Sequence, residues 1–264
     1  MDFQWDNCSQ ELRDFVHNLL IETSNIIEGQ VIGCYLHGSL VMGGFNPDRS
    51  DIDLLVVTEQ PLRIKTKREL AQFFLRSSKK PYPVEISILN LSQLENWQYP
   101  TPYDFHFSEY WRRRYEEELQ EETALYLNDD EKKDVDLAAH FMILNKYGKC
   151  LTGRPIHQVF PAIPASDFLS SILEDYDECL QNILVKPVYC TLNLLRVYWY
   201  LKDGTISSKK EAGEWGAEQL PEKFQLVINQ ALKEYGNANT TTLFNKKDLF
   251  ELRDYVNNNV QELL

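Results

Sequence analysis

Between Asp6 and Ile27 the apolar residues Leu12, Phe15, Val16, Leu19, Leu20, Ile26 and Ile27 recur at helical spacing, which predicts an opening amphipathic helix. The rhythm then changes. Val31-Ile32-Gly33-Cys34-Tyr35-Leu36-His37 is a short apolar run ending at Gly38, the pattern of a buried strand. A second strand is expected at Asp51–Val57, closed by Pro61, and a surface helix over 63–76, where Leu70, Phe73 and Phe74 stand among charges. Pro81 and Pro83 punctuate the chain before a third strand at Val84–Leu89. A leading helix followed by strand, strand, helix and strand predicts an α+β unit with a mixed β-sheet and flanking helices.

Past residue 104 the β-branched runs thin out and helical patterns dominate. Arg112-Arg113-Arg114-Tyr115-Glu116-Glu117-Glu118 sets Arg against Glu four apart, which reads as a solvated helix face. Further helices are expected at 134–151, 167–184, 188–203, 209–219, 222–234 and 247–262. The stretch Thr152–Ser166, with Gly153, Pro155, Pro161 and Pro164, breaks that series and is the predicted boundary. It divides the chain into residues 1–157 and a C-terminal all-α helical bundle over 158–264.

At 264 residues the chain is long enough for two such domains. Its net charge of −13 argues against a nucleic-acid partner, which needs clustered Lys and Arg, and suits a cationic one. No apolar run approaches the ~18–20 residues that span a bilayer, so no membrane partner is expected. The opening Met1-Asp2-Phe3-Gln4-Trp5-Asp6 has no basic or apolar signal region, and the expected location is the cytoplasm. Cys8, Cys34, Cys150, Cys179 and Cys190 are odd in number and scattered, which predicts buried thiols in a reducing compartment.

Chemistry concentrates in His37-Gly38-Ser39 and, after eleven residues, Asp51-Ile52-Asp53. Alternation along a strand puts Asp51 and Asp53 on one face and Ile52 and Leu54 on the other. Two adjacent carboxylates on an apolar strand repel each other, and a hard divalent cation resolves the conflict. Magnesium accepts one or two carboxylates, with phosphates and waters completing its shell. Gly38 lets the backbone approach a ligand closely, and the Ser39 hydroxyl could meet a phosphate oxygen. An alternative is a tight turn with Ser39 as a helix cap. Glu85 opens the third strand on the same face as Ser87; if that strand neighbours Asp51–Val57, Glu85 can take a proton or ligate an ion.

These residues resemble the metal-and-triphosphate site of the polymerase-β nucleotidyltransferase superfamily. More narrowly, the chain is similar to the aminoglycoside adenylyltransferases that inactivate streptomycin and spectinomycin. The likeness continues through Trp97-Gln98-Tyr99-Pro100, Phe107-Ser108-Glu109-Tyr110-Trp111-Arg112, and the run from Leu192 to Trp215. It implies an N-terminal nucleotidyltransferase domain facing a helical domain, with both substrates in the cleft between them. Asp51 and Asp53 would hold magnesium, Glu85 would be the base and help ligate a second ion, and Gly38, Ser39, Arg196 and Lys209 would contact the triphosphate of ATP. Trp111, with Glu85, would meet a small hydroxyl-bearing acceptor, and the enzyme is expected to be a monomer. Lys209 has separate support: Ser208-Lys209-Lys210-Glu211 has the form of a capping box, and lysines in a first helical turn suit a bound polyphosphate.

One departure concerns the acceptor. Drug-modifying members carry an Asp-Glu-Arg-Asn-like run before the Arg196 helix, whose aspartate contacts the drug, where this chain reads Lys186-Pro187-Val188-Tyr189. Asp175, Asp177 and Glu178 precede it and could compensate. The expected reaction is AMP transfer from ATP to an aminoglycoside or aminocyclitol, spectinomycin ahead of streptomycin. The rivals are a protein or other metabolite as acceptor, and a non-catalytic nucleotide-binding module.

Overall fold

Ser9, not Asp6, starts the first helix: its hydroxyl accepts the Leu12 N–H at 3.2 Å, and α1 (Gln10–Ile26) buries Leu12, Val16, Leu19 and Leu20 along one stripe. This computed structural model describes residues 4–121, 127, 132–237 and 243–264. Five strands follow α1 into one sheet: β1 (Val31–Leu36), β2 (Ile52–Thr58), β3 (Val84–Asn90), β5 (Phe105–Phe107) and β7 (Lys149–Gly153). Two short strands, β4 (Thr101–Pro102) and β6 (Lys133–Asp134), pair separately. The sheet order is β5-β3-β2-β1-β7, with β2 and β3 parallel and the other neighbours antiparallel. The fold is therefore α+β with a mixed sheet, as the element order predicted.

Strand alternation gives this sheet two different faces. Cys34, Leu36, Ile52, Leu54, Val56, Val84, Ile86, Ile88, Phe105 and Phe107 share a buried cluster with α1, α3 (Ile64–Ser77) and α5 (Arg112–Gln120). On the other face, Tyr35 meets Phe160 edge-on at 4.8 Å and His37 lies 4.9 Å from His140 of α6 (Leu137–Tyr147). Short helices α2 (Ser39–Met42) and α4 (Leu91–Glu95) leave β1 and β3.

The helix expected over 134–151 stops at Tyr147, and Lys149–Gly153 joins β1 as an edge strand. Five residues carry too little periodicity to announce a strand; the open edge of β1 recruits them. Cys150 rides on this edge and is exposed, while the other four thiols are buried as expected. Arg113 and Glu117 do form a solvated pair at 2.7 Å. Arg112 instead turns inward to Glu109, at 2.8 and 2.9 Å, and to the Leu75 carbonyl, so only part of the basic triplet faces water.

The chain divides into two compact units, after Phe168 within α7 (Ala165–Asn182). Among the described residues the second holds helices alone as regular elements: the rest of α7, α8 (Pro187–Asp203), α9 (Lys209–Gln219), α10 (Gln225–Gly236) and α11 (Lys246–Leu263), with one short 3-10 turn. Pro187 opens α8 at a position that needs no N–H donor, and Gly204 ends it in the left-handed conformation. Leu194, Leu195 and Tyr198 of α8 pack with Ala212, Ile228, Leu252 and Val256 in its core.

A buried carboxylate ties the far end of the first unit's sheet. Asp104 accepts the Leu62 N–H at 2.9 Å, both its oxygens accept from Asn90 Nδ2, and Gln93 Nε2 donates to it at 3.1 Å. Burial raises its pKa, against the pull of these donors. Asp104→Ala should lower the unfolding free energy by about 1–3 kcal/mol in urea melts, because the donors lose their acceptor inside the protein. An unchanged midpoint would mean that water replaces the carboxylate.

Candidate active site

The parallel pairing of β2 with β3 sets Asp53 directly opposite Glu85. Their neighbours Leu54 and Ile86 point into the helical core, so both acids project from the other face, where His37 follows the end of β1. Asp51 lies two residues before Asp53, just ahead of β2. The His37 N–H donates to the Asp53 carbonyl at 3.0 Å, which carries the β1–β2 pairing up to the motif.

Gly38 follows with φ 66° and ψ −149°, a conformation that favours glycine. A Cβ there would fall 1.8 Å from Asp53 Oδ2. The missing side chain is what allows the Ser39 N–H to reach Asp53 Oδ2 at 3.3 Å. Gly38, rather than Ser39, is the cap residue, and Ser39 is the first residue of α2. The pairing of β3 with β2 thus brings Glu85 to the end of the sheet that holds Gly38, Ser39 and Asp53.

Burial first, then Glu85 and more weakly Asp51, pushes the Asp53 carboxyl up to about 8, against His140 and the Ser39 N–H. Two carboxylates held this way lack positive charge. Among the described residues, no three His, Cys, Asp or Glu side chains converge as a ready-made metal cage. The donor set nevertheless fits a hard cation that takes its other oxygens from phosphates and water.

Sequence reasoning gave no role to the histidines on this face. His37 is buried, its pKa held low by burial and by His140, and its Nδ1 has no hydrogen-bond partner. Burial works to lower the pKa of His140, but Glu85, then Asp136, Asp134 and Asp53, outweigh it and raise it. His106 shares a 2.9 Å hydrogen bond with Ser87, two residues beyond Glu85. No local pattern marks His140, because α6 reaches this face by tertiary packing alone.

Trp111 caps α5 half-buried against the helical-face core, edge-on to Tyr110 at 4.9 Å, with the Arg114 guanidinium 5.7 Å from its ring centre. Glu109 braces this turn. It pairs with Arg112 at 2.8 Å and Lys79 at 2.9 Å and accepts from Ser78, and these donors, Arg112 first, pull its pKa down to about 2.

Arg196 and Lys209 belong to the helical unit. Arg196 donates to the Ser207 carbonyl at 3.1 Å and to Asn193 Oδ1 at 3.3 Å, both neutral acceptors where the sequence suggested an anion. Lys209 opens α9 behind the predicted capping box: Ser208 Oγ accepts the Glu211 N–H at 3.2 Å, and Glu211 accepts the Ser208 N–H at 2.8 Å. The buried Ser207 hydroxyl beside them has no hydrogen-bond partner. Lys186, the departure from the drug-modifying pattern, pairs with Glu178 at 3.0 Å.

The raised Asp53 carboxyl has a consequence for stability. The folded protein keeps a proton up to about pH 8 that the unfolded chain releases near 3.8. In chelator, stability should therefore fall as pH rises between those values and level off above them. Asp53→Asn should flatten this dependence and be the more stable protein at high pH. Parallel curves for the two proteins in thermal melts from pH 4 to 9 would assign the dependence to other groups.

Comparison with known proteins completes the picture. Residues 22–126, which include Gly38, Asp51, Asp53, Glu85 and Trp111, match the nucleotidyltransferase domain. Residues 158–259, which include Arg196 and Lys209, match the aminoglycoside adenylyltransferase C-terminal domain. The chain is 26% identical over 255 residues to a Campylobacter jejuni spectinomycin 9-adenylyltransferase, covering 94% of this chain and 95% of the relative. It is 26% identical over 240 residues to an Escherichia coli aminoglycoside (3'') (9) adenylyltransferase, covering 85% of each. A crystal structure of an Enterococcus spectinomycin adenyltransferase, solved with ATP and spectinomycin, shares the fold with a TM-score of 0.77 at 24% identity, covering 94% of this chain and 99% of that one. With both domains present in this order, the chain is a nucleotidyltransferase similar over most of its length to the aminoglycoside adenylyltransferases.

Proposed function

We propose that the protein transfers AMP from ATP to a hydroxyl of an aminoglycoside or aminocyclitol antibiotic, spectinomycin ahead of streptomycin, and releases pyrophosphate. The observation that carries this reading is the register pairing of Asp53 with Glu85 beside the Gly38-Ser39 turn. Attack by the acceptor oxygen on the α-phosphorus needs a base at the hydroxyl and a fixed phosphate chain. Glu85 takes the hydroxyl proton. Ser39 and, from the helical unit, Arg196 and Lys209 hold the triphosphate, and the buried Ser207 hydroxyl is a further donor. Asp51, Asp53 and Glu85 would hold magnesium, as two ions, which when bound offsets charge on the phosphate oxygens. The resemblance also assigns Trp111 to the acceptor, but its ring packs against the helical-face core and not on the face that bears Glu85.

Several observations support an antibiotic as acceptor. Relatives aligned over most of the chain are spectinomycin 9-adenylyltransferases, and the net charge of −13 attracts a cationic drug. Lys186, which would repel one, has its charge offset by Glu178. The same lysine favours the second reading, in which the acceptor is a protein side chain or another metabolite. A purely regulatory nucleotide-binding module has no use for three acids on one sheet end. The reading takes the enzyme as a monomer working in the cytoplasm, where ATP is supplied.

Pyrophosphate release from ATP and magnesium, measured against a panel of aminoglycosides, aminocyclitols and related sugars, tests the acceptor. Release with spectinomycin is expected; release only with other compounds would move the enzyme to the second reading. Glu85→Gln keeps size and hydrogen bonding but removes the base, so kcat should fall by roughly 10²–10⁴-fold with little change in nucleotide affinity. An unchanged kcat would remove Glu85 from the chemistry.

A further inference from the structure

Asp175, in α7, is joined to α8 by two short hydrogen bonds. Its Oδ2 accepts from the Tyr189 hydroxyl and from Asn193 Nδ2, each at 2.7 Å. Each donor leads on to a basic residue. Asn193 is buried; its Nδ2 donates to Asp175 and, at 3.7 Å, to Cys179 Sγ, which leaves Oδ1 facing Arg196, whose Nη1 donates to it at 3.3 Å. An exchanged amide would set its oxygen against the carboxylate and its NH₂ against the guanidinium. The charge of Asp175 therefore decides which way Asn193 points. On the other branch, Tyr189 holds its ring under the Lys209 ammonium, 4.3 Å from the ring centre. Burial, then Asp175, raises the pKa of the Tyr189 hydroxyl, which stays a donor to the carboxylate.

A carboxylate bonded directly to Arg196 would compete with an incoming phosphate. Set one side chain back, it aims the guanidinium and leaves the cation's direct hydrogen bonds on neutral oxygens. We propose that Asp175 is a positioning residue for the triphosphate: through Asn193 it orients Arg196, and through Tyr189 it places Lys209. This rests on the reading of Arg196 and Lys209 as triphosphate ligands.

The test is direct calorimetric titration of the full-length protein with magnesium-ATP, which needs no acceptor, alongside urea melts without nucleotide. Asp175→Ala should weaken ATP binding about tenfold, the scale of one lost charge-assisted hydrogen bond. Asn193→Leu fills the same buried space without the relay and should give a similar loss; it serves if Asp175→Ala does not fold. Combining Asp175→Ala with Arg196→Ala should cost less than the sum of the two separately. A carboxylate that merely ties α7 to α8 would lower the urea midpoint and leave ATP affinity unchanged, which would overturn the proposal. Arg196→Ala separates the two claims. If it does not weaken ATP binding, the triphosphate reading of Arg196 fails; if it does while folded Asp175→Ala and Asn193→Leu bind normally, only the positioning claim fails.

Discussion

The active end of the sheet depends on one electrostatic constraint, two carboxylates set side by side on neighbouring parallel strands. Asp53 and Glu85 are forced together by backbone register, and burial makes their shared negative charge costly. The surroundings are built to tolerate it. Gly38 gives up a side chain so that a backbone N–H can reach Asp53, and His140 brings partial compensation from the covering helix. A site balanced this way is short of positive charge and favours a cation.

The rest of the first unit keeps that end in place. The other sheet face is packed by α1, α3 and α5 into a dry core, so the strands cannot slip by one residue without exposing it. At the opposite end of the strands, Asp104 ties Leu62, Asn90 and Gln93 together. Glu109 makes a similar knot with Ser78, Lys79 and Arg112 at the turn bearing Trp111.

In the helical unit the same logic runs with the sign reversed. Arg196 and Lys209 gather where α8 meets the start of α9, and the acid that organises them, Asp175, acts through Asn193 and Tyr189. The capping box on α9 neutralises the helix end with Glu211 while its lysines remain at the surface of the turn. Asp53 is held by a backbone N–H and Arg196 by neutral oxygens, which fixes direction without cancelling charge.

By itself the sequence determined everything that depends on residues a few positions apart. Alternation along β2 set Asp53 apart from the core residues Ile52 and Leu54, helical spacing located the C-terminal helices, and Ser208 with Glu211 announced the start of α9 at Lys209. Tertiary structure decided whatever needed a distant neighbour. Whether Glu85 could reach Asp53 turned on β3 pairing with β2. The strands β5 and β7 are too short to carry a pattern and exist because β3 and β1 offered open edges. His37 and His140 are 103 positions apart and meet only because α6 folds over the sheet. Arg112 left the solvated face for Glu109, and Asp175 found Asn193 across a helical hairpin. Local periodicity records which way a side chain points, but only packing determines what stands opposite it.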